Sequence, residues 1–258
     1  FKKETKLIII AHDLYPDILK HFKGIVSSSF IYNVLKKIYL FSYGQYSGII
    51  SCCDAIKELL INDYKILESK LVVIPCWSLI PANNIAKFNK SKLDKSSKIP
   101  KLILMGNIGV LHLVENIKYV ISALINNHKY NPNIELFIRG SKSKWLLNNL
   151  ENSPYIIKRK IIPSKDLIKV YSEPSITFVS LERNACLCAF PSRISTSLSL
   201  GAPILFLTDF LSENHLANFI LKNKIGLVLD TSFSSQKIID TYEELINCGN
   251  GGLFGPGN

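Results

Sequence analysis

The sequence lacks an apolar run long enough to cross a membrane. A transmembrane helix needs about 20 consecutive apolar residues, whereas the most apolar segments, KLIIIAH and PILFLTD, are interrupted within the length of a strand. Acidic charge is also scarce, since 20 aspartates and glutamates face 31 lysines and arginines and leave a net charge of +11. These absences predict a cytoplasmic protein whose membrane contact, if it has one, is peripheral and lies at the anionic inner face.

The lysine-rich stretches of the chain lack a regular interleaving of aromatic residues. Proteins that bind single-stranded nucleic acid combine a basic groove with aromatic side chains on which the bases stack, so we expect no nucleic-acid partner. Two interpretations of the positive charge stay open. It attracts anionic small ligands or an anionic membrane surface, or it forms only a solvated, lysine-rich surface.

Motifs for metal ligation are absent as well. No paired Cys-x-x-Cys occurs, no histidine stands at zinc-ligand spacing from a cysteine, and no Asp-x-Asp offers paired carboxylates to Mg²⁺ or Mn²⁺. We therefore expect neither a metal nor another cofactor, and we expect the cysteines to be reduced core residues of a cytosolic protein. The six cysteines are Cys52, Cys53, Cys76, Cys186, Cys188 and Cys248.

Short apolar runs alternate with segments that have the apolar spacing of an amphipathic helix. Hydrophobic residues make up 47% of the chain and charged residues 20%, which is typical of a folded globular protein. Strands that alternate with helices predict an α/β fold with parallel sheets, in which ligands bind beyond the carboxyl ends of the strands. The predicted strands are residues 7–11, 48–52, 71–74, 102–105, 135–138, 176–179, 204–207 and 226–229.

A lysine-rich segment divides the chain. Residues 86–101 contain six lysines and one aspartate with almost no apolar periodicity, which predicts an exposed linker. We expect a partial first domain in residues 1–97, linker included, a complete Rossmann-like domain in residues 98–246 and a glycine-rich tail in residues 247–258. Because the first domain has only about three strands, too few for a doubly wound sheet, we expect a sequence that is truncated at its N-terminus.

Two glycine-containing turns follow predicted strands in the second domain. The first, GNIG at residues 106–109, leads into a helix, so that backbone amides and the positive end of the helix dipole face a potential anion. The second contains Gly140, Ser141 and Lys144. Turns of this kind also close strand–helix corners without binding anything, and Lys144 can equally be an ordinary solvated lysine.

The segment PSRISTSLSLGAP has helical periodicity and an arginine at its start. Pro191 and Ser192 suit the beginning of a helix, where proline costs no hydrogen bond and serine can cap, so Arg193 lies in the first turn. The helix dipole disfavours a cation there, unless an anion such as a diphosphate binds at the same point. The alternative is an Arg193 that bends back to a surface carboxylate.

The order of these motifs resembles glycosyltransferase family 4 and its relatives in the GT-B superfamily. Between residue 7 and about residue 246, the chain carries in order HDLYPD, SGIISCCDAIKELL, KLVVIPCW, MGNIG, ELFIRGS, FPSRISTSLSLGAPIL and NKIGLVLD. RISTSLSLGAPIL is also similar to the corresponding helix of galactofuranosyl-type transferases. The resemblance implies a GT-B-like α/β fold of two Rossmann-like domains, the first incomplete, with a nucleotide-sugar between them.

The resemblance also implies an activity. A sugar would pass from a nucleoside-diphosphate donor to a saccharide or lipid-linked acceptor in cell-surface polysaccharide synthesis, without a metal and with retention of anomeric configuration. His12 and Arg193 would be catalytic, His12 by facing the transferred sugar and Arg193 by stabilising the departing diphosphate; a histidine in this place can also be purely structural. The implied donor-binding residues are Gly106, Asn107, Gly109, Gly140, Ser141, Lys144, Ile162, Ser192, Arg193 and Thr196.

The chain departs from the family pattern in two places. Many members have two glutamates separated by seven residues, and Cys188 and Thr196 stand at those positions. The arginine and lysine that commonly follow the first phosphate turn are also missing, since Asn107 and His112 lie in that region. A non-catalytic remnant that binds a nucleotide-sugar is therefore a second interpretation. A sugar-nucleotide epimerase of the same architecture is a third, and it is less favoured because no pair of acid/base carboxylates surrounds the site.

Overall fold

The computed structural model describes residues 5–21, 29–78, 80–85, 99–127, 130, 132–212 and 214–250. The chain divides into two compact units. The first comprises Phe1–Cys76, Arg183–Pro191 and Asn214–Leu216, and the second comprises Trp77–Glu182, Ser192–Glu213 and Ala217–Asn258. Two short segments from the second half of the chain thus belong to the first unit. In the lysine-rich segment expected as a linker, residues 86–98 lie outside the described residues.

The first unit contains a three-stranded parallel sheet in the order β1-β2-β3. Its strands are β1 Ile8–Ala11, β2 Gly48–Ser51 and β3 Leu71–Val73. Helix α1 Phe30–Gly44 follows β1, and helix α2 Asp54–Asn62 follows β2. The strands run in the same direction, so the residues that follow each of them meet at one edge of the sheet.

Six parallel strands form the sheet of the second unit, in the order β6-β5-β4-β7-β8-β9. Counted within this unit the order is 3-2-1-4-5-6, which is the strand order of the Rossmann fold. The order reverses between β4 and β7, and such a reversal opens a crevice for ligands beyond the carboxyl ends of the strands. The strands are β4 Lys101–Asn107, β5 Ile134–Arg139, β6 Ile156–Lys158, β7 Ser175–Ser180, β8 Ile204–Leu207 and β9 Gly226–Leu229.

Helices alternate with these strands along the chain. They are α3 Val114–Ile125, α4 Ser143–Asn149, α5 Leu167–Val170, α6 Arg183–Cys186, α7 Ser192–Ser199, α8 His215–Lys222 and α9 Ser235–Asn250. Helix α3 forms because its apolar residues recur every three or four positions, and Ile117, Val120 and Leu124 are buried with side chains of β4, β5 and α9 in one core. Burying one such side chain stabilises the fold by about 1.5–3 kcal/mol.

The predicted α/β fold with parallel sheets is confirmed, and every predicted strand lies within two residues of its expected bounds. Strand β6 and helices α6 and α9 were not predicted. Strand β6 has three residues, too few for a periodicity, whereas α9 buries Ile238, Tyr242 and Leu245 at helical spacing that was present in the sequence. Helix α9 extends to Asn250, into the segment expected as a tail, and residues 251–258 lie outside the described residues.

Among the described residues, no helix has both the length and the apolar composition that a membrane crossing requires.

Candidate functional site

Hydrogen bonds between loops join the carboxyl ends of β4 and β7, where the strand order reverses. Leu113 N–H donates to Ser180 Oγ at 3.3 Å, and Glu182 N–H donates to Leu111 O at 3.0 Å. These bonds hold the loop after β4 against the end of β7, so the residues that follow the two strands share one edge of the sheet. We call this edge, built from residues 106–112, 140–143 and 192–196, the switch-point site.

Gly140 lies where the turns after β4 and β5 touch. It has φ +107°, and a β-carbon on it would overlap Asn107 Oδ1 and lie 2.6 Å from Ile108 O. Ile108 N–H donates to Arg139 O at 2.6 Å, and Lys142 N–H donates to Ile108 O at 3.1 Å. Only glycine permits both the left-handed backbone and this close approach, and the structure thus brings Asn107 and Gly140 together.

Arg193 packs directly on the backbone of Gly106. Gly106 has φ +118°, and a β-carbon on it would lie 2.8 Å from Arg193 Nη2 and 2.9 Å from Arg193 Cζ. Arg193 is the second residue of α7, as the sequence predicted for the first turn of that helix. Nearby, a β-carbon on Gly109 would lie 3.8 Å from Ser141 Oγ. The two predicted turns and Arg193 therefore form one group at the sheet edge.

The guanidinium of Arg193 is desolvated without being fully hydrogen-bonded. Burial lowers the pKa of Arg193 to about 10, so the side chain stays charged at neutral pH. Its Nη1 is buried and has no hydrogen-bond partner among the described residues, and the same holds for Oγ1 of Thr196, three residues further along α7. A buried polar group without a partner costs about 1–3 kcal/mol, and more when it is charged. An anion at this point would offset that cost.

His112 belongs to the same site, although the sequence did not single it out as a donor-binding residue. Its side chain is buried, and its Nδ1 accepts a hydrogen bond from Gly109 N–H at 3.3 Å. Burial, and then the positive charge of Arg193, lower the pKa of His112 to about 3. The imidazole is therefore neutral at physiological pH and adds no second positive charge beside the guanidinium.

A buried network of hydroxyl groups anchors helix α7 to the sheet. Ser197 Oγ donates to Arg193 O at 2.7 Å and lies 3.1 Å from Tyr171 Oη, which in turn lies 3.0 Å from Thr177 Oγ1. Thr177 is part of β7, so the network ties the first turn of α7 to a central strand. A backbone fixed in this way loses little further entropy when Arg193 binds an anion.

The remaining predicted donor residues have different surroundings. Ser192 is exposed and is the first residue of α7, next to Arg193. Lys144 is exposed on α4. The side chain of Ile162 packs against an apolar cluster that contains Ile103 and Phe137, so its side chain contributes to the core of the second unit.

His12 lies in the first unit, directly after β1, against two cysteines. Its Nδ1 is 3.2 Å from Cys52 Sγ and 3.4 Å from Cys76 Sγ. A hydrogen bond from the Cys52 thiol lowers the pKa of Cys76 to about 6, although burial opposes this shift, and His12 contributes further to it. The sequence could not pair these side chains, because 40 and 64 residues separate His12 from the two cysteines.

No protein-family model matches the chain, and no curated protein is significantly similar to it in sequence. Solved glycosyltransferase structures are similar to it in fold. WaaG, a glycosyltransferase involved in lipopolysaccharide biosynthesis, matches with a TM-score of 0.63 at 12% identity, over 96% of this chain and 69% of WaaG. Staphylococcus aureus TarM, in a complex that includes UDP, matches with a TM-score of 0.63 at 11% identity, over 98% of this chain and 46% of TarM. The pneumococcal O-GlcNAc transferase GtfA, in complex with UDP and GlcNAc, matches with a TM-score of 0.53 at 13% identity, over 94% of this chain and 45% of GtfA.

At these identities the similarity establishes the fold alone. The parallel α/β architecture matches that of GT-B glycosyltransferases, as the sequence resemblance implied. The chain spans less than half the length of TarM and of GtfA, and 69% of the length of WaaG.

Proposed function

We propose that the protein is a glycosyltransferase that moves a sugar from a nucleoside diphosphate to a saccharide or lipid-linked acceptor, in the synthesis of a cell-surface polysaccharide. The switch-point site of the second unit would hold the diphosphate of the donor. The reaction would retain the anomeric configuration and would need no metal at the donor. The net charge of +11 would favour an anionic donor and peripheral contact with an anionic membrane surface.

The incompletely bonded guanidinium of Arg193 is the observation that carries this proposal. Bonds to phosphate oxygens are among the strongest that a guanidinium makes, because both partners are charged. The absence of a β-carbon on Gly106 lets the guanidinium lie at the carboxyl edge of the sheet. Arg193 is in the first turn of α7, whose backbone amides would be further donors to an anion. During transfer, these fixed donors would stabilise the negative charge that develops on the departing diphosphate.

The solved structures with the same fold support a nucleotide-sugar donor, because each of the three is named as a glycosyltransferase or described with UDP or a sugar. We propose UDP as the first nucleotide to test. On the acceptor side, we retain His12 as the residue that would face the transferred sugar, because it lies beyond the carboxyl end of β1.

A non-catalytic nucleotide-sugar-binding remnant is the second candidate, and one observation favours it. Where many family 4 members have glutamates, this chain has Cys188, which is buried, and Thr196, whose buried Oγ1 has no hydrogen-bond partner in the described part of the chain. Burial raises the pKa of Cys188 to about 12, so its thiol stays protonated and supplies none of the charge of a carboxylate. Neither residue therefore supplies a carboxylate that could bind the donor.

Isothermal titration calorimetry with UDP, GDP and ADP tests the donor site and identifies the base. Arg193→Ala should weaken binding of the preferred nucleotide by about 1.5–3 kcal/mol, the scale of a charge-assisted contact. Arg193→Lys should recover only part of the loss, because a point charge cannot reproduce the planar guanidinium fork. Binding should also weaken as salt concentration rises.

Lys237→Ala is the matched control, because it removes one positive charge from an exposed position of the same unit. Its nucleotide affinity should equal that of the wild type. Equal affinities in Arg193→Ala and wild type would mean that the arginine serves the fold, and the donor site would have to be abandoned. Nucleotide binding without transfer or hydrolysis of any tested sugar nucleotide would favour the non-catalytic remnant.

A further inference from the structure

Three potential metal ligands converge at the carboxyl edge of the sheet in the first unit. His12 and Cys52 directly follow β1 and β2, and Cys76 follows β3 after a short connection. Their potential ligand atoms all lie within 4.8 Å of one another. In the part of the chain that the structure describes, this is the one group of three such side chains with that geometry.

We propose that His12, Cys52 and Cys76 form a binding site for a divalent cation of the zinc class. In a tetrahedral zinc site, with Zn–S of about 2.3 Å and Zn–N of about 2.0–2.1 Å, sulfur and nitrogen ligands lie about 3.6 Å apart. The two distances from Nδ1 to sulfur, 3.2 and 3.4 Å, are slightly shorter. Small side-chain movements would therefore admit the ion, because the strand ends already hold the three ligands together.

Charge balance favours a divalent cation with an affinity for sulfur. Cys52 is 1% exposed and Cys76 is 5% exposed, and a buried thiolate is costly without a positive partner. On binding, both thiols would lose their protons to solvent. Two thiolates, a neutral imidazole and a 2+ ion then give a centre without net charge. Mg²⁺ and Ca²⁺ prefer oxygen ligands and would not compete.

The surroundings of the site suit entry of the ion and an open fourth position. His12 is exposed, so the ion can reach the sulfurs from solvent. Three protein ligands would leave one tetrahedral position to water. The expectation of no metal rested on sequence spacing, which cannot register ligands that the parallel strands bring together. This inference concerns the first unit alone and does not rest on the proposed function. If Nδ1 of His12 binds the ion, a contact between His12 and a sugar would use Nε2.

Titration with Co²⁺ tests the proposal directly. The full protein is reduced, freed of metal with a chelator and titrated without oxygen. We expect one Co²⁺ per chain, thiolate-to-cobalt charge-transfer absorption in the near ultraviolet, and loss of that absorption when Zn²⁺ is added. Zn²⁺ should also raise the unfolding temperature, because it would bind the folded unit across three strand ends.

Variants identify the ligands. Cys52→Ser and Cys76→Ser should each weaken Co²⁺ binding at least about 100-fold. His12→Ala should weaken it about 10-fold or more, and the protein should stay folded because His12 is exposed. Cys53→Ser is the matched control, because Cys53 is adjacent to Cys52 and serine suits its position before α2; its Co²⁺ binding should be that of the wild type.

Three results would overturn the proposal. The first is the absence of thiolate-to-cobalt absorption in the reduced wild type, which needs no variant to fold. The second is unchanged absorption in the Cys52→Ser, Cys76→Ser double variant. The third is a disulfide between Cys52 and Cys76 in the unreduced protein, combined with a failure of the reduced protein to bind metal. These two results together would show that the cysteines form an oxidisable thiol pair and not a metal site.

Discussion

Asp17 in the first unit and Arg193 in the second are both desolvated charges, but only one of them is satisfied by the protein itself. Asp17 is 5% exposed, and both of its carboxylate oxygens accept hydrogen bonds. Tyr32 and Lys20 donate to Oδ1 at 2.9 Å, and Tyr64 donates to Oδ2. Burial raises the pKa of Asp17, but these hydrogen bonds and nearby lysine charges outweigh it and hold the pKa below the ordinary 3.8.

The hydrogen bonds of Arg193 show the opposite balance. Burial lowers its pKa, its Nη1 has no hydrogen-bond partner among the described residues, and a β-carbon on Gly106 would lie 2.8 Å from its Nη2. Buried charges in proteins are normally paired. We infer that Asp17 serves stability, and that Arg193 keeps bonding capacity for a ligand. The number of satisfied hydrogen bonds separates the two roles, whereas burial alone does not.

Removing the Asp17 carboxylate should have the largest effect on stability. Asp17→Ala removes the carboxylate that accepts from Tyr32, Lys20 and Tyr64, and only Tyr64 has a second acceptor, Tyr15 O at 3.3 Å, among the hydrogen bonds described for the three. We expect a loss of about 3 kcal/mol in the free energy of unfolding. Because its pKa is lowered, the contribution of Asp17 is present above about pH 4 and is lost as the pH falls through the folded-state pKa. Urea denaturation followed by circular dichroism measures both effects.

Asp63→Ala is the matched control for this experiment. Asp63 accepts a hydrogen bond from Lys36 at 2.9 Å, but its side chain is 43% exposed. An exposed ion pair contributes about 0.2–1 kcal/mol, so this variant should remain close to the wild type. Equal losses in Asp17→Ala and Asp63→Ala would contradict the structural role that we assign to Asp17.

The reverse behaviour is expected of Arg193→Met. Replacing an incompletely paired buried charge by an apolar side chain of similar length should leave stability unchanged or raise it by about 1 kcal/mol. The same variant should lose about 1.5–3 kcal/mol of nucleotide binding. Calorimetry and urea denaturation on one preparation measure both quantities. A loss of stability similar to that of Asp17→Ala would place Arg193 among the structural charges.

The fold could be predicted because its signals are local. The strand residues of β5, IELFIR, form a short apolar run, and α3 carries buried residues at helical spacing. Gly106 and Arg193 could be singled out for the same reason, since a glycine after a strand and an arginine in a first helical turn are visible within a few residues. The contact between them follows from the strand order, which brings the ends of β4 and β7 together.

The remaining features depend on contacts between distant parts of the chain. Asp17 and Tyr64 are 47 residues apart, and Cys52 lies 40 residues from His12. No local pattern distinguishes such residues from other polar or apolar residues at the ends of strands. The burial of His112 could not be predicted for the same reason. The loop after β4 is fixed by a hydrogen bond from Leu113 N–H to Ser180 Oγ of β7, which is distant in the sequence.

His112 provides a smaller, pH-dependent test of the same comparison. Its pKa falls from the ordinary 6.5 to about 3 in the folded protein, so the unfolded chain binds more protons between these values. Stability should therefore decrease as the pH falls below about 6.5, by about 2 kcal/mol at about pH 5. His112→Asn keeps an acceptor for Gly109 N–H, does not titrate, and should flatten this dependence. If the free energy of unfolding of the variant depends on pH in the same way as that of the wild type, His112 does not remain neutral in the folded protein.

The smallest expected effects concern two neighbouring hydroxyls of α7. Thr196 Oγ1 has no hydrogen-bond partner among the described residues, whereas Ser197 Oγ donates to Arg193 O and lies 3.1 Å from Tyr171 Oη. Thr196→Val replaces an unsatisfied hydroxyl by a methyl group of the same shape, and we expect no loss of stability or a gain below about 1 kcal/mol. Ser197→Ala breaks satisfied hydrogen bonds and should cost about 1 kcal/mol. If Thr196 contacts the donor, Thr196→Val should weaken nucleotide binding by less than Arg193→Ala does, because a neutral hydrogen bond contributes less than a charged one. Urea denaturation measures the change in the free energy of unfolding for both variants. Changes of opposite sign would extend the contrast between Asp17 and Arg193 to uncharged groups. Equal losses would limit the contrast to charged groups.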